Sequence, residues 1–445
     1  MSNSRKQIEP RLFKGTQDFL PEEMIRKQAL TEIIRTVFER YGFEPVETPA
    51  LEYRDILMGK YGEEGEKLIY PLAYKDGRTL ALRYDLTVPL ARLVAMHPEL
   101  PMPFKRYQIQ PVWRAEKAQI RQGRFREFYQ CDVDTVGTAS MLADAEMIVM
   151  TDECLRALGI EKFVTRLSSR KLLFGMARHF GTGEERLGEF TRAIDKLDRV
   201  GIDGVREELV KCGYAEDVAD SIVRMISIEG GVEEKLARLE EALSDLPQAL
   251  EGIAEIRRVA EALRAGGIDE SRWTFEPALA RGLDYYTGPI FETVLPEQPH
   301  IGSLAGGGRY DDLIEMYAGT PVPATGTTVG IDRIYAAMLQ LDLLPKTTTS
   351  TDVLVCLFDE GCVGAALKTA NALREAGLNV MTYPQPDKLK KQFAYADKRN
   401  IPAVAVLGPD EIKEGSVTLK DMKSGRQKSL PTGDLPAEIK RILNK

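Results

Sequence analysis

WRAEKAQIRQGRFREFYQ, residues 113–130, sets Arg114, Arg121, Arg124 and Arg126 with Glu116 and Glu127 around a single glycine, Gly123. The runs that flank it, RYQIQPVW (106–113) and FREFYQCDVD (125–134), mix apolar and polar residues in strand fashion. Together they read as two antiparallel strands joined by a glycine-bearing loop. Strand alternation puts Arg124, Arg126 and Phe128 on one face, with Phe125 and Glu127 on the other. Guanidinium groups bind phosphate bidentately and stack on aromatic faces, so an arginine-lined sheet can hold a nucleoside triphosphate. No G-x-x-x-x-G-K-[ST] loop occurs in the chain to do that work instead. Taken alone, the segment is also compatible with a solvated charged hairpin.

Toward the N-terminus, TLALRY (79–84) extends the strand pattern, and residues 78–134 read as strands and loops of an antiparallel sheet. FEPVETPALE (43–52) has β-branched residues, prolines that suit an edge, and a turn at Thr48-Pro49. Before it, Pro21-Glu22-Glu23 starts a helix whose Leu30, Ile33, Ile34, Val37, Phe38 and Tyr41 recur at helical spacing until Gly42. Toward the C-terminus, DKLDRVGIDGVREEL, AEDVADSIVRMI and VEEKLARLEEAL predict a helical insertion over about 170–268. Strand signals return at FETVL (291–295), and residues 329–344 read as a buried helix.

PKTTTSTD (345–352) is short, polar and threonine-rich, and residues 346–351 are read as a linker. Beyond it DVLVCLF, NVMTY and PAVAVLG alternate with helices over 363–376 and 388–399. That order predicts a small α/β domain with a largely parallel sheet over 352–445. The fold class expected is an α+β domain over 1–345, an antiparallel sheet with flanking helices and the helical insertion, followed by this α/β domain.

Composition bounds the function. The chain has 445 residues, 43% hydrophobic and 29% charged, which excludes disordered and fibrous classes. A net charge of −8 means that any nucleic acid must dock on local basic patches. Five cysteines form no C-x-x-C pair and three histidines show no ligand spacing, so no metal is expected to be held by a protein cluster. Without an apolar leader or a run of roughly 18 apolar residues, the chain reads as cytoplasmic with no membrane partner.

Two further segments share the arginine, glycine and tyrosine bias: LARGLDYYTGPIFE (279–292) and LAGGGRYDDL (304–313). Three consecutive glycines, Gly306 to Gly308, let backbone lie against a ligand, or simply make a tight turn. In this order the segments are specific. The sequence resembles the class II aminoacyl-tRNA synthetases, and within them the histidyl-tRNA synthetase family, over nearly its full length. KGTQDFLPEE (14–23) is similar to that family's N-terminal signature, and GFEPVETPALE (42–52), with Pro49, to class motif 1 at the dimer interface. VWRAE through GRFREFYQCDVD resembles motif 2, and VGIDRIYAAM (329–338) motif 3. RGLDYYTG and GGGRYD resemble the two signatures peculiar to the histidine-specific enzymes. QFAYADKRNIPAVAVLG and VTLKDMKSG resemble the family's anticodon-binding domain.

The resemblance implies a histidine–tRNA ligase that uses ATP with Mg²⁺ and has L-histidine, tRNA(His) and a second copy of the chain as partners. It implies ATP contacts at Arg114, Glu116, Arg124 and Arg333. Catalytic contacts with the α-phosphate and carboxylate fall to Arg281, with Arg114. For histidine it implies Asp85, Thr87 and Gln130 at the α-amino group, and Asp134 and Tyr286 at the imidazole nitrogens, with Arg281 and Tyr285 alongside. Two features depart from the pattern of many bacterial members: the longer loop KAQIRQ (117–122), and aspartates rather than glutamates at 85 and 134. Eukaryote-like members share both. The rival implied by the same resemblance is the non-catalytic, histidine-binding paralogue that regulates ATP phosphoribosyltransferase, which lacks the anticodon-binding domain.

Overall fold

Strands are numbered along the chain as β1 (Glu44–Pro45), β2 (Leu51–Tyr53), β3 (Pro71–Ala73), β4 (Thr79–Leu82), β5 (Phe104–Trp113) and β6 (Glu127–Val136). There follow β7 (Val164–Ser169), β8 (Trp273–Phe275), β9 (Pro289–Val294), β10 (Ala305–Arg309) and β11 (Ala324–Val329). The computed structural model describes residues 8–58, 65–280 and 285–444. The chain divides into two compact units, Met1–Gln17 with Leu30–Leu344, and Asp18–Ala29 with Pro345–Lys445.

The first unit is built on one eight-stranded sheet of order β1-β5-β6-β11-β10-β9-β7-β8. Its pairs are antiparallel except β1 with β5 and β7 with β8. The arginine-rich segment closes the hairpin β5–β6, whose ladder runs from Phe104↔Val136 to Trp113↔Glu127. Pro111 lies beyond the residues that pair with the short edge strand β1, so its missing N–H costs no ladder bond. On β6 the alternation gives each face a different chemistry. Cys131 and Val133 are fully buried in one apolar cluster with Leu30, Ile34, Val37 and Phe38, and with Met147 and Ile148 of the helix Met141–Ala157. Each such side chain contributes roughly 1.5–3 kcal/mol by burial. Gln130, Asp132 and Asp134 point to the opposite face.

Residues 78–134 are not all strands and loops, as the sequence reading had them: a helix, Thr87–Met96, lies between β4 and β5. Pro89 falls in its first turn, where no N–H is needed, and Asp85 accepts from Val88 N at 3.0 Å to cap it. Val88, Ala91 and Val94 supply its buried face. Strands β2, β4 and β3 form a separate three-stranded sheet. The expected helical insertion lies between β7 and β8, with helices from Arg170–His179 to Pro247–Ala265. The buried helix expected at 329–344 spans Ile331–Gln340.

In the second unit, β12 (Val353–Val355) pairs in parallel with β13 (Val380–Thr382) and β14 (Ala403–Val406). The expectation of a largely parallel sheet holds for these three only. β15 (Ser416–Asp421) and β16 (Gln427–Pro431) are antiparallel. A tight turn makes them so: Asp421 accepts from Lys423 N and Ser424 N, and Gly425 takes φ +72°, which leaves no room for a crossover helix.

Two buried arginines clamp the first unit. Arg83, 1% exposed, donates to Pro111 O at 2.9 Å, Thr48 O at 2.6 Å and Gln110 Oε1 at 2.8 Å, tying the Thr48-Pro49 segment to β5. Arg309, also 1% exposed, pairs with buried Asp144 and donates to Thr138 O and Ser140 O at 3.0 and 3.1 Å. Removing one partner of a buried pair costs about 3–5 kcal/mol. Arg309→Met is therefore expected to lower the urea midpoint of the full chain by that order of free energy. An unchanged midpoint would show that Asp144 is satisfied without it.

Candidate active site

The polar face of β6 forms the floor of a cavity. Ten of the residues singled out from the sequence line it: Asp85, Thr87, Arg114, Glu116, Arg124, Gln130, Asp134, Tyr285, Tyr286 and Arg333. Arg281 lies outside the described residues, and so does the side chain of Arg121. Arg126 and Arg309 do not line the cavity. β6 begins only at Glu127, so alternation does not extend back to Arg126. That side chain turns away to donate to Glu116 O at 3.0 Å and Lys14 O at 2.9 Å. Phe125 lines the cavity for the same reason.

One half of the cavity is arginine and aromatic. The Arg114 guanidinium lies 4.3 Å from the Tyr84 ring centroid and 5.2 Å from that of Phe128, and donates to Tyr84 O at 3.1 Å. Arg124 forms an ion pair with Glu116, and Arg333 donates to Ser303 O at 3.0 Å. The loop before β6 reaches its place because Gly123 has φ +69° and sits against the carbonyl of Asp332. A Cβ there would come within 2.5 Å of that oxygen. Asp332 in turn accepts from Tyr129 N at 3.0 Å, so the helix Ile331–Gln340 fixes both the loop and the first residues of β6.

The other half is acidic and deeply buried. Asp134, 3% exposed, pairs with Arg106 Nη2 at 2.7 Å and accepts from the Tyr310 hydroxyl. Arg106, with no exposed surface, also donates to Leu86 O and Gln108 Oε1, both at 3.2 Å. Burial pushes the Asp134 carboxyl above its ordinary range, and Arg106 and the Tyr310 hydroxyl oppose that. Burial and the neighbouring carboxylates raise the Tyr286 hydroxyl as well, so it remains a neutral donor and acceptor. Tyr285 packs tilted against Tyr286, 5.0 Å between centroids, and edge-on to Tyr310 at 5.9 Å.

The glycine run is neither loop nor turn: it is strand β10. Gly307 lies so close to β11 that a Cβ would meet Gly326 O at 2.0 Å. Four lining or supporting residues went unremarked in the sequence: Arg106, Asp132, Tyr310 and Thr328. Alternation through Gln130 and Asp134 points to Asp132, and Tyr310 stands inside GGGRYD. Nothing local marks Arg106 or Thr328, whose roles come from pairing across strands.

Among the described residues no group of three or more His, Cys, Asp or Glu is placed to hold a metal ion, and no helix is long and apolar enough to cross a membrane. A family model described as histidyl-tRNA synthetase matches residues 15–334, and one described as an anticodon binding domain matches residues 352–442. The histidine–tRNA ligase of Christiangramia forsetii is 40% identical, over 97% of this chain and 99% of its own. That of Cytophaga hutchinsonii is 42% identical, over 94% and 96%. The crystal structure of histidyl-tRNA synthetase from Nostoc sp. PCC 7120 superposes with a TM-score of 0.84 at 34% identity, covering 98% of this chain and all of that one. With the fold, the ordered motifs and both family matches in agreement, the chain belongs to the histidyl-tRNA synthetase family.

Proposed function

We propose that the chain is an ATP-dependent histidine–tRNA ligase and that its cavity carries out both half-reactions. In the first, a histidine carboxylate oxygen attacks the α-phosphorus of ATP, giving histidyl-adenylate and pyrophosphate. In the second, a hydroxyl at the 3′ end of tRNA(His) attacks the acyl carbon, and AMP leaves. The observation that carries this reading is the gathering around one cavity of ten residues that the resemblance singles out, with Arg114, Arg124 and Arg333 in one half and Asp85 and Asp134 in the other.

Arg114, Arg124 and Arg333 take the nucleotide, with Glu116 beside them. Arg114 already lies against the Tyr84 and Phe128 rings, which hold its planar charge in the cavity. ATP phosphates displace Glu116 from Arg124, an exchange between partly exposed groups that costs little. Glu116 and Glu292, both lining the cavity, are hard oxygen donors that would hold Mg²⁺ entering with the phosphates, where it would supply neutralisation of their charge. Arg281 contacts the α-phosphate and the attacking carboxylate.

At the amino-acid end, Asp85, Thr87 and Gln130 hold the α-ammonium. Imidazole offers one donor and one acceptor, which Asp134 and the Tyr286 hydroxyl match. Any other side chain leaves buried polar groups unpaired, a loss that reaches about 10⁴–10⁵ in rate for sites of this kind. Discrimination of that size makes an editing domain unnecessary. The 352–445 region binds the anticodon end of tRNA, consistent with the family model it matches.

A homodimer is part of the same reading. The small sheet and its neighbouring helix expose Leu51, Tyr53, Leu72, Tyr74 and Met96, an apolar surface beside the segment similar to motif 1. A reducing, cytoplasmic setting suits the five free cysteines.

Exchange of labelled pyrophosphate into ATP, run with Mg²⁺ against all twenty amino acids without tRNA, tests the assignment: exchange with histidine alone is expected. A folded chain that binds histidine yet exchanges nothing would instead be a regulatory subunit. Arg281→Ala is expected to slow exchange by about 10²–10³, as for loss of one charged oxyanion donor, with histidine affinity changed far less. Equal losses in both would make Arg281 a ground-state ligand. Light scattering is expected to give twice the 49.7 kDa chain mass, and Leu51→Asp to shift it toward the monomer. A monomeric wild-type chain would end the dimer assignment.

A further inference from the structure

A third carboxylate lies between the α-amino and imidazole ends of the pocket, and the mechanism above leaves it idle. Asp132 is 2% exposed and stands on β6 between Gln130 and Asp134. Its Oδ1 accepts from the Thr328 hydroxyl at 2.5 Å and from Gln130 Nε2 at 3.3 Å, while Gln130 Nε2 also donates to Thr328 Oγ1 at 3.0 Å. The donor end of the Gln130 amide is thus turned into the protein. Its acceptor end, Oε1, is buried and has no protein partner. An amide held this way round offers a ligand an oxygen, which suits an ammonium; reversed, it would offer N–H groups, which an ammonium cannot use.

We infer that Asp132 is a positioning residue for the amino-acid substrate: with Thr328 it fixes the Gln130 amide toward the substrate ammonium, and histidine binding expels a proton from the Asp132 carboxyl. The inference rests on the histidine reading of the cavity. No covalent bond to substrate forms or breaks; the carboxyl O–H releases its proton to buffer as the ammonium enters.

The groups that bear on Asp132 are all on the page. Arg106 and neutral Gln108 come from β5, the latter directly opposite Asp132. Thr328 lies opposite on β11. Asp134 is on the same strand, and Asp85, Tyr286, Tyr310 and Glu292 line the same cavity. Burial, helped by Asp134 and Asp85, pushes the carboxyl up to about 7 against the pull of Arg106 and the Thr328 hydroxyl. At neutral pH the group therefore divides between its two forms, and a nearby ammonium favours the charged one. Histidine affinity then rises with pH through this range, because the carboxylate attracts the ammonium and the neutral carboxyl does not.

Calorimetric titration of the full chain with L-histidine at pH 7, in buffers of differing ionisation enthalpy, counts the protons released. The wild type is expected to release on the order of half a proton more than Asp132→Asn. Histidine's own imidazole titrates nearby in both proteins, so the difference isolates Asp132. Asp132→Asn should also raise KM for histidine in pyrophosphate exchange about tenfold or more, with a smaller effect on kcat and a flatter KM–pH profile. Thr328→Val, which removes the hydroxyl that favours the carboxylate, should move the midpoint of that profile to higher pH. Equal proton counts and superimposable profiles for wild type and Asp132→Asn would overturn the inference, as would an unmoved midpoint in Thr328→Val. A wild-type chain that binds no histidine would overturn the histidine reading beneath it instead.

Discussion

A guanidinium with no exposed surface makes the acidic face of this sheet tolerable. Arg106 pairs with Asp134 and also donates to Gln108 Oε1 and the Leu86 carbonyl, so further polar contacts hold the ion pair in place. Asp85 and Asp132 line the same cavity, and the charge of Arg106 pulls Asp132 and Asp134 down against burial. Burial raises Asp134 and Asp132 even with the arginine present. Burial thus works against the charged form of both carboxyls, and a cationic ligand favours it.

That arrangement depends on register. β6 presents Cys131 and Val133 to the helices and Gln130, Asp132 and Asp134 to the cavity, so a slip of one residue would bury carboxylates in the apolar core and turn the core residues into the pocket. The ten-pair ladder with β5 on one side and the six-pair ladder with β11 on the other prevent it. On the far side, a Cβ at Gly307 would meet Gly326 O of β11, and one at Gly326 would meet Asp134 Oδ1 of β6. The space that Gly326 leaves open is the one Asp134 occupies, so glycine at these strand positions keeps both the ladder and the pocket carboxylate in place.

Much of this was legible in the sequence where a signal is local. The strand pair around residues 113–130, the helical insertion, the buried helix after Val329 and the alternation of the last domain all come from periodicity. Legibility failed where partners are distant or where regular structure stops. Arg126 leaves the pattern because its strand begins one residue later, and Thr87–Met96 was hidden by a proline that the first turn of a helix accepts. Tyr310 and Thr328 acquire meaning only from a strand far away in the chain, and Arg106 only from the register of its own hairpin. Asp132 is the intermediate case: its position in the alternation was visible, but a buried aspartate beside Asp134 reads as an error until Arg106, opposite Asp134, is known.

The two ends of the cavity differ in how firmly their residues are held, and this bears on where selectivity resides. In the half proposed for the nucleotide, Arg124 is 43% exposed and paired with Glu116 on a loop anchored through Gly123, so its partner can be exchanged at small cost. In the half proposed for the amino acid, Asp85, Gln130, Asp132 and Asp134 stand on β6 or at a helix start, are at most 5% exposed, and are each tied to a second polar group. Such a site cannot relax around a wrong ligand, because each unmade hydrogen bond leaves a buried group unpaired and no side chain is free to repair it. ATP needs accommodation through a reaction that changes its charge and shape, whereas histidine needs to be told apart from nineteen alternatives. The loop serves the first requirement and the sheet the second.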